Sequence, residues 1–394
     1  MSKSVAIIGS GISGTLTAYF LAKRGYAVNL YEKEAYAAMQ CSYANGGQIS
    51  VCNSKTWNDI PTLKKAIKWL FKKDAPLLVR FKPSYRKISW LSKFLYVTLK
   101  DGNYLATYKT IQMGIKSRTL LKELVEEEGI EFDQSYSGMM HLYTQNTDYN
   151  DSLNDQEYFN HHGCKWDNVG LKEILTIEPA LKDFKDIISG SFIQDDWSGD
   201  IHKFCTEMQK VLQSKYGVKY CFGYDVKDIK DLDEDYIVLA NGHAMYDFSS
   251  QLNETLDVYP VKGYSITINL NDEISKAAAP IVPLIDNNKK IVCSRLGDKF
   301  RVAGTAEFND VNYDIIKDRI QPLLDWVHEN FPDIDTSDYN QWACLRPMTP
   351  DMMPIVRKAK NHDKVFLNGG HGHLGWTLSA YTGNKIANLI DGSN

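Results

Sequence analysis

The chain of 394 residues has no apolar run approaching the roughly 20 residues a membrane-spanning helix needs, so no transmembrane segment is expected. Cysteine is sparse and shows no pairing pattern: Cys41, Cys52, Cys164, Cys205, Cys221, Cys293 and Cys344 are odd in number and widely scattered. Without a C-x-x-C or Cys/His ligand spacing, neither a disulfide framework nor a zinc site is indicated, and no metal is expected. His161 and His162 are adjacent, so they project in different directions and suit a surface loop better than a ligand pair. Charge of one sign is also lacking: the formal net charge is −4, which gives no global attraction for nucleic acid. Internal repeats and low-complexity segments are absent. A signal peptide is not expected, because cleavage would remove the strand that opens the glycine turn described next. A reducing cytoplasm fits these absences.

What is present suits a globular protein with two cores, at 43% hydrophobic and 24% charged residues. The organising stretch is Lys3–Lys33. Val5–Ile8 reads as a buried strand and ends in Gly9-Ser10-Gly11-Ile12-Ser13-Gly14. A helical pattern follows through Leu16 and Leu21, Gly25 sits where a C′ glycine belongs, and Val28–Tyr31 reads as a second strand ending at Glu32. The first two glycines permit a tight turn and close approach to a pyrophosphate; the third lets helix and strand pack closely. The helix N-terminus favours the negative charge. Glu32, roughly 20 residues on, supplies a carboxylate for ribose hydroxyls. Strand, turn, helix, strand and acid together predict a dinucleotide site.

Next comes a loop of small and amide residues, Ser42-Tyr43-Ala44-Asn45-Gly46-Gly47-Gln48, rich in exposed backbone N–H groups. This loop resembles the D-amino-acid oxidase superfamily of flavoproteins, and within it most closely the bacterial D-amino-acid dehydrogenase small subunit. Further motifs follow in family order. Glu178-Pro179-Ala180-Leu181 resembles an E-P-x-L turn, and Asp196–Phe204 resembles the D-x-x-G-D-x-H-x-F return to the flavin domain. Pro260–Gly263 is similar to P-x-K/R-G, Gly304–Glu307 to G-x-A-E, and Leu345-Arg346-Pro347 to the substrate-arginine motif.

Gly369, Gly370, Gly372 and Gly375 then open a C-terminal helix and offer a second anion site. One nucleotide needs only one such site, and a reduced flavin supplies the second anion, so the expected cofactor is FAD. The resemblance implies cofactor contacts at Gly9, Gly11, Ile12, Ser13, Gly14, Glu32, Lys33, Ser42, Asn45, Gly46, Gly47 and Gln48. Downstream it implies Val226, Ala240, Gly242, Gly370, His371, Gly372, Leu374, Gly375, Trp376 and Thr377.

Arg346 is the expected carboxylate clamp, since a guanidinium fixes a carboxylate with two parallel charge-assisted bonds. The competing role is a structural pair with Asp351. Tyr264 and His373 are further catalytic candidates. Cys344 stands where sarcosine-oxidase relatives carry a flavin-tethering cysteine and the dehydrogenase branch carries glycine.

The expected fold is α/β: a discontinuous Rossmann-type FAD-binding domain (1–60, 198–243 and 343–394) and a substrate domain on a mixed or antiparallel sheet (61–197 and 244–342). The polar residues 144–156 read as a loop, Phe132 as part of a strand, and Asp314–Phe331 as a helix. The function expected from the resemblance is FAD-dependent oxidation of small D-amino acids to 2-oxo acids and ammonia. Electrons would pass to a membrane quinone or to oxygen. Rivals are a sarcosine-, glycine- or D-proline-type amine oxidase and a membrane-surface electron-transfer flavoprotein with no amino-acid pocket. Residues 61–100 bear on this choice: eleven Lys or Arg stand against Asp74 alone, interleaved with Trp, Phe and Leu. That composition suits a basic amphipathic insertion lying on an anionic membrane, on the inner face of the cell membrane, or else a solvated face packed on the second domain. Nothing in the sequence specifies oligomeric state.

Overall fold

The computed structural model describes residues 3–69, 77–80, 84–100 and 103–393, without the side chains of Ile67 and Trp69. A six-stranded sheet runs in the order Ile355–Lys358, Val365–Gly369, Tyr236–Leu239, Ser4–Ile8, Ala27–Glu32, Lys219–Phe222. All neighbours are parallel except the first pair. Its strands are apolar on both faces, as a sheet covered on two sides requires. Val5, Ile7, Leu30 and Val238 pack beneath helices Ile12–Ala22, Ile201–Ser214 and Gly375–Asp391, while Ala6, Ile8, Ile237 and Leu239 meet Met245, Phe248, Leu252 and Leu256.

The second sheet is mixed, in the order Tyr339–Met348, Tyr259–Asn269, Lys299–Phe308, Ile291–Leu296, Leu284–Asp286, Met139–Tyr143, Ser189–Ile193, Asp167–Val169. Alternation along Tyr259–Asn269 divides its faces. Tyr264, Ile266 and Ile268 enter a core closed by helix Lys317–Asn330, whereas Gly263 and Ser265 face the first domain. The Ser265 hydroxyl donates to Ala44 O at 2.8 Å, tying the glycine-rich loop to this sheet.

Three expectations change. Of residues 144–156, all from Asn146 on lie in a helix, Asn146–His161, and not in a loop. Its periodic signal is acidic, not apolar: Asp148, Asp151 and Asp155 share one face and pair with Lys65 and Lys55. Phe132 lies in no strand; its ring is fully buried in the first core. Helix Asn103–Glu128, expected in the substrate domain, contributes Leu121, Leu124 and Val125 to the core beneath the six-stranded sheet. It packs along the C-terminal helix, where Ser117 Oγ accepts from Tyr381 N–H at 3.2 Å.

Of the basic stretch, Leu70, Phe71, Lys72, Lys73, Asp74, Phe81 and Lys82 lie outside the described residues. Most of the described cations have partners within the chain. Lys65 pairs with Asp148 and Asp151, Arg80 with Glu307, Lys87 with Asp310 and Lys93 with Asp257. Arg86 donates to the carbonyls of His243 and Val258.

Candidate active site

The predicted turn follows Ser4–Ile8. Gly9 takes φ +101°, and a Cβ there would meet Ala240 O at 2.8 Å, so this strand end accepts only glycine. A Cβ on Gly14 would fall 1.8 Å from Gly9 O, which is the close helix–strand contact expected of the third glycine. Both the Ser10 N–H and its hydroxyl donate to Glu32 Oε2 at 2.8 Å, and Glu34 N–H donates to Oε1 at 3.0 Å. Glu32 therefore also organises the turn from which it would receive ribose hydroxyls. Ser42 Oγ accepts the Ile12 N–H at 3.1 Å, satisfying one free donor of the helix N-terminus.

A single cavity of about 1380 Å³ runs from Glu32, Lys33, Tyr224 and Val226 past Gly11 and Ser13 to Arg346 and His373. Most of the predicted cofactor contacts border it, from Gly9 and Gly11 through Asn45, Gly46, Ala240 and Gly242 to Gly372, Leu374, Gly375, Trp376 and Thr377. Gly14, Gly47 and Gly370 do not; their backbone conformation and packing explain these glycines instead. Gly370, at φ +72°, would bring a Cβ to 2.6 Å from Thr349. Gln48 borders the cavity, but its amide donates to Leu284 O and Cys293 O at 3.0 and 3.1 Å, stitching the loop to the second sheet. His371 is a brace: Nε2 meets Thr382 Oγ1 at 2.9 Å and Nδ1 meets Ser13 Oγ at 3.4 Å, so the ring joins the start of the first helix to the body of the C-terminal one.

The cavity walls fit a dinucleotide with a second anionic end. Asn241 Oδ1, His243 Nδ1 and Trp376 Nε1 are buried against it without a protein partner, as groups with a polar occupant would be. The residues that would hold FAD are thus the first turn, Glu32, the Ser42–Gly46 loop and the turn Gly372–Thr377.

Arg346 lies at the far end. Its Nη1 donates to Thr305 O at 2.8 Å, and its guanidinium lies over Gly263, whose added Cβ would be 2.3 Å from Nη2. Thr305 takes φ +64° to present that carbonyl, a strained conformation for a β-branched residue. No carboxylate pairs with Arg346 among the described residues. Asp351 instead accepts Met353 N–H at 3.1 Å, so the competing Arg346–Asp351 pair is not formed.

His373 stacks on Trp57, with ring centroids 4.9 Å apart, and its Nε2 lies 3.4 Å from Asn53 O. Burial, reinforced by Arg346, pushes its pKa down to about 4, so it is neutral near pH 7 and its Nδ1 is unpaired. Tyr264 is a correction. Its hydroxyl donates to Glu307 Oε2 at 2.6 Å and its ring belongs to the core behind the sheet. Strand alternation puts it on the wrong face to share the carboxylate held by Arg346.

Sequence reasoning missed the supports of these groups. Fully buried Asp196 accepts from Ser50 Oγ, the N–H groups of Val51 and Cys52, and Arg118, and so fixes the loop beside Thr377. Cys41 donates to Leu345 O at 2.9 Å. The neighbouring Cys41 and Arg346 hold the Cys344 thiol below its ordinary range, whereas the Cys344 neighbour and burial push that of Cys41 up. A D-x-x-G-D motif was legible around Asp196, but not its partner Arg118.

A nucleotide-binding parallel sheet sharing one cavity with a mixed sheet that carries a free guanidinium defines a two-domain flavin-dependent oxidoreductase. Comparison with known proteins gives the particular family. Residues 4–389 match the FAD dependent oxidoreductase family, and the chain belongs to it. It is 40% identical over 403 residues to a Mesorhizobium japonicum protein named D-amino acid dehydrogenase 3, covering 98% of this chain and 96% of that one. It is 34% identical to a D-amino acid dehydrogenase of Paramagnetospirillum magneticum, over 98% of this chain and 95% of that one. Among solved structures, glycine oxidase from Geobacillus kaustophilus superposes with a TM-score of 0.75 at 19% identity, over 100% and 96% of the two chains. L-proline dehydrogenase from P. horikoshii gives 0.74 at 16%, over 100% and 94%. These structures establish the shared fold. The chain is an FAD-dependent flavoprotein oxidoreductase.

Proposed function

We propose that the protein oxidises small D-amino acids to 2-oxo acids and ammonia, with FAD as its resident cofactor. The observation that carries this reading is the Arg346 guanidinium, held by Thr305 O and Gly263 with donors left free in the cavity that the nucleotide turns share. The named dehydrogenase relatives, matched end to end, support the D-amino-acid substrate.

Arg346 binds the substrate carboxylate through two parallel N–H groups and fixes the orientation of Cα. FAD, which the first glycine turn, Glu32 and the turn Gly372–Thr377 would hold, would supply the hydride-accepting chemistry for Cα–H. His373, neutral and beside Arg346, can hydrogen-bond the substrate or the cofactor but is too weakly basic to hold a proton at neutral pH. Positioning and exclusion of water supply most of the rate, with no obligatory protein base. The released imine hydrolyses in water to the oxo acid and ammonia.

The electron acceptor in this proposal is a membrane quinone, reached from the cytoplasmic face. Helix Tyr85–Leu99 presents Ile88, Leu91, Leu95 and Leu99 at helical spacing, and they are 60%, 37%, 43% and 66% exposed. Tyr96, Tyr104 and Leu105 lie exposed in the same region of the chain. Because most of the neighbouring cations are paired internally, the contact would be mainly apolar. Among the described residues no helix is long and apolar enough to cross a membrane.

A second reading, a sarcosine-type amine oxidase using oxygen, draws on Cys344, which borders the cavity with a lowered thiol pKa. An electron-transfer subunit without an amino-acid pocket is disfavoured by the free donors of Arg346. The test is anaerobic mixing of the holoenzyme with D-alanine, L-alanine, glycine and sarcosine while flavin absorbance is followed. Bleaching by the D-amino acid is expected; bleaching by sarcosine alone, or by none, overturns the proposal.

A further inference from the structure

The clamp at Arg346 occupies only one end of the cavity face of the second sheet. Asn287 and Lys290 begin and end the turn that joins Leu284–Asp286 to Ile291–Leu296, and continuing the register of Ala303 with Val292 by two steps sets Lys290 opposite Thr305 on the next strand. The bulge between Lys262 and Tyr264 sets Gly263, and so the guanidinium lying on it, beside Thr305. Lys290 is therefore two strand spacings from the clamp, about 10 Å across the sheet. Lys290 and Val292 both border the cavity.

Lys290 differs from the other cavity lysines. Lys55 pairs with Asp155 and Asp59, and Lys65 with Asp148 and Asp151. Among the described residues no carboxylate lies within ion-pair distance of Lys290, although its backbone adopts the unfavourable φ of +56°. Lys290 is exposed on the chamber wall, and the protein around it lowers its pKa by desolvation, with Asp148, Lys65, Asp286 and Lys55 as the neighbouring charged groups.

Beside it the chamber holds further unpaired donors. Asn287 Nδ2 lies 3.3 Å from His141 Nδ1; if the amide donates there, the His141 proton is on Nε2. His141 Nε2 and Trp166 Nε1 are both buried without a partner, and the two rings lie 5.1 Å apart. An ammonium, an imidazole N–H and an indole N–H thus border one chamber with no acceptor of their own. The imidazole and indole donors are buried, and buried donors left unpaired are costly unless an occupant satisfies them, while the exposed ammonium is free to meet that occupant.

We propose that this chamber is the subsite for the far end of the substrate side chain, that it takes a carboxylate, and that Lys290 is the specificity-determining residue. The preferred substrates are then acidic D-amino acids, held by the α-carboxylate on Arg346 and by the side-chain carboxylate at Lys290. This deepens the proposed function and depends on it.

The experiment measures anaerobic flavin reduction by D-glutamate, D-aspartate, D-glutamine and D-alanine in the holoenzyme and in its Lys290→Met and Lys290→Arg variants. Wild type is expected to favour an acidic substrate. In Lys290→Met the ratio of kcat/KM for that acid over D-alanine should fall about 10- to 100-fold, the value of a hydrogen bond to a charged group, mainly through KM. Lys290→Arg should keep most of the preference. FAD content and Tm, measured alongside, separate this from misfolding. Reduction by D-alanine with no preference for acids, or an unchanged ratio in Lys290→Met, overturns the subsite alone. Reduction by no D-amino acid overturns the function and the subsite together.

Discussion

The guanidinium of Arg346 lies flat on Gly263: a Cβ on that glycine would come 2.3 Å from Nη2 and 2.5 Å from Cζ. Only the end of a flexible side chain stands in its way, so Gly263→Ala should fold and displace the clamp. We expect it to resemble Arg346→Ala, with normal FAD content and anaerobic flavin reduction slowed about 30-fold or more. That follows from a lost charge pair of about 2–5 kcal/mol at 1.36 kcal/mol per tenfold. Near-normal reduction in either variant would refute the clamp.

The first glycine turn separates structural from cofactor positions. In Gly14→Ala the new methyl meets backbone, Gly9 O, and overpacking should lower the stability of the cofactor-free protein by about 1–3 kcal/mol or more. In Gly11→Ala the nearest atom is Ser42 Oγ at 3.4 Å, so the protein itself has room. That variant should keep its cofactor-free Tm and lose affinity for FAD. Equal effects of the two substitutions on stability would contradict the assignment.

Acid should destabilise the protein through its buried histidines. Burial lowers the His371 pKa from 6.5 to about 4. A depressed folded-state pKa gives stability that is complete above pH 6.5 and is lost as pH falls towards 4, because the unfolded chain binds the proton first. The loss amounts to roughly 3 kcal/mol. Denaturant midpoints at pH 7, 6, 5 and 4 should fall steadily, and His371→Asn should flatten that slope.

Vesicle binding should depend on leucines more than on salt. Burying a leucine contributes about 1.5–3 kcal/mol, so Leu95→Glu with Leu99→Glu should weaken sedimentation with anionic vesicles at least tenfold. A steep loss of binding with salt, unaltered by these substitutions, would restore the electrostatic picture. No binding at any ionic strength would remove membrane contact altogether.

Acid precipitation should leave the flavin in the supernatant, since the Leu345-Arg346-Pro347 motif beside Cys344 follows the amino-acid branch. Flavin carried down with the protein would mean a covalent link and would favour the amine-oxidase reading.

The sequence by itself determined the parts whose physics is local. A glycine turn between a strand and a helix, an acid at the next strand end and a second glycine-rich helix start are each set by neighbours within a few tens of residues. Fold class and cofactor were legible for that reason. Tertiary structure decided what depends on distant segments meeting. It placed Tyr264 behind the sheet, because a strand's faces are distinguished only by what covers them. It turned an acidic stripe into the helix Asn146–His161 by bringing Lys55 and Lys65 against it. It spent most of the described basic residues of 61–100 on carboxylates and carbonyls far along the chain. It also set Thr305 against Arg346 and brought Lys290 to the same cavity, through pairing between strands whose register no local pattern encodes.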